Sequence, residues 1–180
     1  MNYYAVQVQT GKEEKIIETV QTNLAFRIDK QLFIFPKRQL KIRKAGVEKP
    51  ELKPIFPGYF FIEAESIDRE LYNTLRHTQG FYRFLKSNQD IIALSGRDLS
   101  ILQHFLKFGQ TISTSQVYFD ENDRICVTAG PLKGLEGMVV KVDKRKKRAK
   151  VKMDFSNDSI LIDLGFEIIK EVNGEENGKW

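Results

Sequence analysis

The sequence predicts an α+β chain in two parts: an α/β sandwich, one antiparallel sheet with helices, over residues 1–108, and a small five-stranded β-barrel over 119–174. Three observations carry this. Strand-like and helix-like apolar periods succeed one another in a β-α-β-β-α-β-like order in the first part. Residues 109–118 (Gly-Gln-Thr-Ile-Ser-Thr-Ser-Gln-Val-Tyr) lose that periodicity and read as a linker. Beyond them, short β-branched runs are broken by glycines and charges at the spacing of a small barrel.

Residues 2–9 alternate at period two and read as a strand. Thr10-Gly11-Lys12-Glu13 has capping-box spacing, opening a helix with Ile16, Ile17, Val20 and Leu24 on one face. Leu32 to Phe35 forms a strand that ends at Pro36. Residues 36–58, rich in Lys, Arg, Pro and Gly, read as a hairpin or extended loop leading into the aromatic strand Tyr59-Phe60-Phe61-Ile62. In that strand Tyr59 and Phe61 face one way, and Phe60 and Ile62, expected in the core, the other. Ser66 begins a second helix, with Asp68 in its first turn and Leu71 and Leu75 buried. Phe81 to Leu85 is a strand, and Ser95 caps a helix with Leu99, Leu102, Phe105 and Leu106 inward. The later strands fall at Arg124–Thr128, Gly137–Val142, Arg148–Met153, Ser159–Asp163 and near Ile168–Glu171.

The 180 residues carry a net charge of +5, and the excess lies wholly before residue 119, with 17 basic and 12 acidic residues there against 12 of each after it. The second part is nonetheless segregated: Lys133 to Lys152 holds nine basic and two acidic residues. Such a balance attracts polyanions, although most basic surfaces are simply solvated. A lone cysteine, Cys126, excludes an intrachain disulfide and fits a reducing cytoplasm. No apolar run is long enough to span a bilayer, and no signal peptide is apparent. Two histidines, one cysteine and no nucleophile–base or ligand spacing argue against an enzyme, a metal site or a cofactor.

The stretch Val127 to Asp143 places Gly130, Gly134 and Gly137 between two strand-like runs. It matches neither a P-loop nor a dinucleotide fingerprint, and strand rather than helix follows it. It resembles the KOW motif. Tyr3-Tyr4-Ala5-Val6-Gln7, the capped helix, Phe56-Pro57-Gly58-Tyr59 after a basic hairpin, Phe81 to Leu85 and Leu94-Ser95 occur in the order and spacing of the NusG family of transcription elongation factors. The resemblance extends over nearly the whole chain. It implies an NGN domain followed by a KOW barrel, in a cytoplasmic, monomeric protein that binds bacterial RNA polymerase. The positions matching the family's clamp-helix patch are Tyr3, Gln7, Phe56, Pro57, Tyr59 and Phe61. Leu132 replaces the aromatic often found after Gly-Pro in the KOW loop, which puts termination-factor or ribosomal-protein contact in doubt. The chain looks most similar to specialised LoaP-type antiterminators, which recognise an RNA hairpin. An RfaH-like DNA reader and a ribosome-associated KOW protein are the alternatives.

For a nucleic-acid element the candidates are Lys12 and Lys15 on the first helix, Arg69, Arg76 and His77 on or beside the second, and Arg83 and Lys86 on the following strand. All are expected on one face. His77 serves equally as a solvated helix end. The run Lys144 to Arg148 and the hairpin cations Lys37, Arg38, Lys41, Arg43 and Lys44 either contact nucleic acid or keep loops soluble.

Overall fold

The computed structural model describes residues 1–24, 32–85 and 90–169. Strand β1 (Asn2–Val8) lies inside a four-stranded antiparallel sheet, between β5 (Tyr59–Ala64) and β6 (Phe81–Phe84), with β2 (Leu32–Ile34) beyond β5. Period two sorts its side chains. Tyr4, Val6, Val8, Phe60, Ile62 and Phe84 point to a core shared with α1 (Glu13–Asn23) and α2 (Arg69–His77), where Ile16, Val20, Leu71 and Leu75 meet them. Ala5, Ile34 and Phe61 point the other way, into a second core.

That second core is shared by both halves of the chain. From the N-terminal side it takes Phe56, Leu85, Leu94 and, from α3 (Gly96–Leu106), Ile101, Leu102 and Phe105. From the C-terminal side it takes Leu132, Val151, Phe155, Leu164 and Phe166. The ring of Phe155 stands 4.9 Å from that of Phe56, 5.5 Å from Tyr59 and 5.9 Å from Phe61. Aromatic contacts at these separations add to the gain from burial itself. The C-terminal half is therefore docked on the face of the sheet opposite α1 and α2.

Polar contacts border this seam. Arg97 on α3 pairs with Asp154 at 3.1 Å, and the Ser156 N–H donates to Asp98 Oδ1 at 3.1 Å. His104 Nε2 lies 2.8 Å from the Pro131 carbonyl; a carbonyl can only accept, so the proton sits on Nε2. The hairpin of β3 (Lys37–Lys44) and β4 (Val47–Pro54) reaches across as well. Arg38 Nε donates to the Asp163 carbonyl at 2.6 Å, and Lys41 pairs with Glu167 at 2.8 Å.

The C-terminal half is a five-stranded sheet in the order β10 (Val139–Asp143), β11 (Arg148–Phe155), β12 (Asp158–Ile168), β8 (Ser115–Phe119), β9 (Ile125–Ala129). The expected number of strands is present, but two assignments change. Residues 109–118 are not a loose connector: β7 (Thr111–Ile112) pairs parallel with β3, and β8 enters the C-terminal sheet. The two runs read as separate last strands are instead continuous through Ile168, while positions 170 and 171 lie outside the described residues. The glycine loop also divides. Gly130 has φ +94°, and a Cβ there would stand 2.6 Å from Ser115 Cα, so this position admits only glycine. Gly137 lies in a tight turn at Glu136–Met138, with ordinary φ and open space around it.

The first helix starts differently from its expected capping box. Lys12 is the N-cap residue, with no side-chain cap bond, and Glu13 is buried. Its Oε1 accepts from the Gly58 N–H at 2.7 Å, binding the start of α1 to the Phe56-Pro57-Gly58 turn. The second helix starts later than Ser66, at Arg69, because Asp68 is its cap and accepts from the Leu71 N–H at 2.7 Å.

Candidate functional site

On the helix face of the sheet, α1 and α2 leave a groove of about 530 Å³. Lys12 and Lys15 line one wall, Asn73 and His77 the other, with Thr19 and Thr74 among the hydroxyls between them. Arg69 and Arg76 are exposed on α2 but do not line the groove; helical spacing puts them on the outer side of Asn73. His77 Nδ1 lies 2.7 Å from the Asn73 carbonyl and must donate to it, leaving Nε2 as an acceptor in the neutral ring. The same bond ties the His77 ring to the last turn of α2, whose C-cap is Thr78. The groove thus combines lysine point charges with amide and hydroxyl groups able to meet base edges or a 2′-hydroxyl.

One of the residues expected on this face is not brought to it. Arg83 pairs across the sheet with Gln7, and its Nε donates to Gln7 Oε1 at 2.9 Å. Gln7 shares the parity of Tyr3 and Ala5, so Arg83 belongs to the opposite face. Lys86 lies outside the described residues.

The aromatic face collects Tyr3, Gln7, Phe56, Tyr59 and Phe61, with Pro57 exposed at the turn. The expectation that Phe61 and its neighbours form an open patch is corrected: Phe56 and Phe61 are fully buried, Phe155 of the C-terminal half lying against both. Tyr3 and Tyr59 keep partial exposure. Burial pushes the Tyr59 phenol up, partly offset by a hydrogen bond with Ser156. Burial, then the charge of Glu63, raises that of Tyr3, whose hydroxyl donates to Glu63 Oε1 at 3.1 Å. Leu132 is no exposed loop contact either. It is wholly buried, its N–H held by Ser115 Oγ at 2.9 Å.

Residues 1–103 match the family described as transcription termination factor NusG, and residues 121–152 match the KOW motif. The chain belongs to the NusG family. This NusG-family chain is 24% identical to the transcription termination/antitermination protein NusG of Thermus thermophilus, covering 94% of this chain and 98% of that one. With its Bacillus subtilis namesake the identity is 25%, over 95% and 98%. A solved structure described as domain interaction in Thermotoga maritima NusG superposes with a TM-score of 0.57 at 20% identity, covering 91% of this chain and 93% of that one, and supports the mixed α+β fold. Two NusG features are therefore in hand, an NGN half and a KOW half. Among the described residues no group of three or more His, Cys, Asp or Glu could hold a metal ion, and no helix is long and apolar enough to cross a membrane.

Proposed function

We propose that this member of the NusG family is a specialised, LoaP-type regulator that binds RNA polymerase and promotes antitermination at selected operons after reading an RNA hairpin. The observation that carries this reading is the α1–α2 groove. It lies on the face of the N-terminal sheet that the C-terminal half leaves open, and it holds Lys12, Lys15 and His77 with amide and hydroxyl partners. Arg69 and Arg76 add positive charge on α2 outside it. A hairpin loop can present splayed bases and backbone phosphates together, the combination this lining matches.

Polymerase would take the opposite face, through Tyr3, Gln7, Phe56, Pro57, Tyr59 and Phe61. Buried aromatic anchors carry much of an interface's binding energy. Because Phe155 now covers Phe56 and Phe61, the C-terminal half has to leave that face before a partner reaches it. RNA held in the helix groove leaves that exchange sterically free, since the two events use opposite sides of one sheet.

The test has two parts. Core RNA polymerase immobilised on beads retains the chain, and Tyr59→Ala with Pro57→Ala weakens retention; no retention removes the regulator reading. Arg76→Ala weakens binding to a cognate leader RNA severalfold while polymerase retention is unchanged. Transcription through a terminator downstream of that leader then rises only when the leader is present. Unchanged RNA affinity in a low-salt titration takes Arg76 out of the site.

A further inference from the structure

Two basic loops far apart in the sequence meet at the edge of the seam. Arg148 Nη2 donates to the Lys41 carbonyl at 2.7 Å, across 107 positions. Between the β3–β4 hairpin and the tip joining β10 to β11 lies a cleft of about 530 Å³, lined by Lys41 and Arg43 from one half and Arg145, Lys146 and Arg148 from the other. Glu48 is the carboxylate in its wall. An adjoining hollow of about 210 Å³ shares Lys146 and Arg148 and adds Lys141 and Lys150.

Besides Glu48, whose charge acts on Lys41, three acids lie nearby. Glu167 pairs with Lys41 at 2.8 Å, Asp163 with Lys150 at 3.1 Å, and Asp143 accepts from the Lys146 N–H at 2.8 Å. Arg145 and Lys146 are exposed and, among the described residues, form no ion pair within 4 Å, although both act on the Asp143 carboxylate through their charge. Arg148 Nε is buried and has no hydrogen-bond partner, so this guanidinium brings a positive charge to the cleft that only its Nη2 bond to Lys41 meets. Beneath it, Arg38 has its pKa pushed down to about 10 by burial, with the positive charge of Arg148 adding to the shift and Asp163 opposing it. The site is short of negative charge, and a phosphodiester supplies both charge and acceptors.

We propose that this cleft is a second nucleic-acid site, separate from the helix groove, that grips successive backbone phosphates and is complete only while the two halves are docked. Each half contributes cations that cannot converge once the halves part. A strand bound there accordingly favours the docked form and opposes exposure of the aromatic face.

The test titrates the full chain with a fluorescent 20-nucleotide single-stranded RNA and with a DNA duplex of the same sequence over a range of salt concentrations. Replacing Arg145 and Lys146 by Gln lowers affinity severalfold. It also flattens the slope of log affinity against log salt by about 1.4 for the single strand and about 1.8 for the duplex, as expected for two lost phosphate contacts. Lys41→Gln with Arg43→Gln, on the other half, gives a comparable loss. Phe155→Ala keeps every cation but removes the ring that meets Phe56, Tyr59 and Phe61, and it too flattens the slope. A loss with both probes supports backbone recognition, and a loss with one names that polymer as the ligand. An unchanged slope in the Arg145/Lys146 variant overturns the site. A full slope in Phe155→Ala with native circular dichroism overturns its dependence on docking, and if that variant does not fold, the Lys41/Arg43 pair decides the same point. Lys12→Gln with Lys15→Gln tests the helix groove separately, so failure of either site leaves the other standing.

Discussion

On one face of the N-terminal sheet, Phe60 and Ile62 are sealed by helices that belong to the same half of the chain, whereas on the other face Phe56 and Phe61 are sealed in large part by Phe155 from the far half. Both faces are dry. The first cannot be uncovered without unfolding the domain. Under the proposed function the second is uncovered by separating the two halves, each of which has its own sheet. One sheet is thus sealed on one side by its own half of the chain and on the other by the far half.

The sharpest test of this difference is a pair of aromatic truncations. Phe60→Ala should cost about 3–5 kcal/mol, read from urea unfolding, and shift the transition of the N-terminal half as a unit. Phe155→Ala should cost about 2–4 kcal/mol, less where the seam collapses around the gap. Its distinguishing effect is that residues 109–118 become sensitive to limited proteolysis below the unfolding midpoint. Equal protection of that segment in both variants would erase the contrast.

Glu13→Ala comes next. It leaves the buried Gly58 N–H without its acceptor, for a loss of about 1–3 kcal/mol in the N-terminal half. Because Gly58 adjoins Tyr59, the same variant should also loosen the turn at the edge of the aromatic face, seen as faster amide exchange at Gly58 and Tyr59.

The smallest effect is that of pH. Glu167 is held below the usual carboxylate range by the hydrogen bond and charge of Lys41, and Asp154 by the Ser159 hydroxyl first and then by Arg97. A depressed acid adds stability above its unfolded value and loses it as pH falls through its folded one. Glu167 owes its depression to Lys41 across the seam, and Asp154 a smaller part of its own to Arg97, so docking weakens in that acid window. Lys41, raised by Glu167, adds its share below the ordinary lysine range and loses it as pH climbs through its raised value. Proteolysis at residues 109–118 against pH measures both limbs. A profile flat from neutral pH down through the depressed carboxylate range contradicts the acid limb, and one flat up through the raised lysine range contradicts the alkaline limb.

Local periodicity made the N-terminal elements readable. Ile16, Val20, Leu71 and Leu75 repeat at helical spacing, and Tyr59 to Ile62 alternates, because each pattern records contacts with one neighbouring layer. What could not be read depended on distant partners. Ser115-Gln116-Val117 looked like linker because its first inward residue is a serine, and that serine is buried only to meet the Leu132 N–H. Arg83 follows the helix cations closely in the chain, and only its cross-strand pairing with Gln7 sends it to the other face. The helix groove was legible as a set of residue types on two helices. The composite cleft was not, since nothing in either basic run signals that the other lies opposite.

The tetrapeptide Lys12-Glu13-Glu14-Lys15 is electrically neutral on paper, and in the fold it is not experienced that way by anything approaching from outside. Glu13 turns its carboxylate inward to a backbone amide, and Glu14 is held by Lys37. The two acids are spent on internal bookkeeping of the structure, and the two lysines between which they sit are left to face the groove. An anion arriving there meets a doorway whose negative charge has been moved indoors.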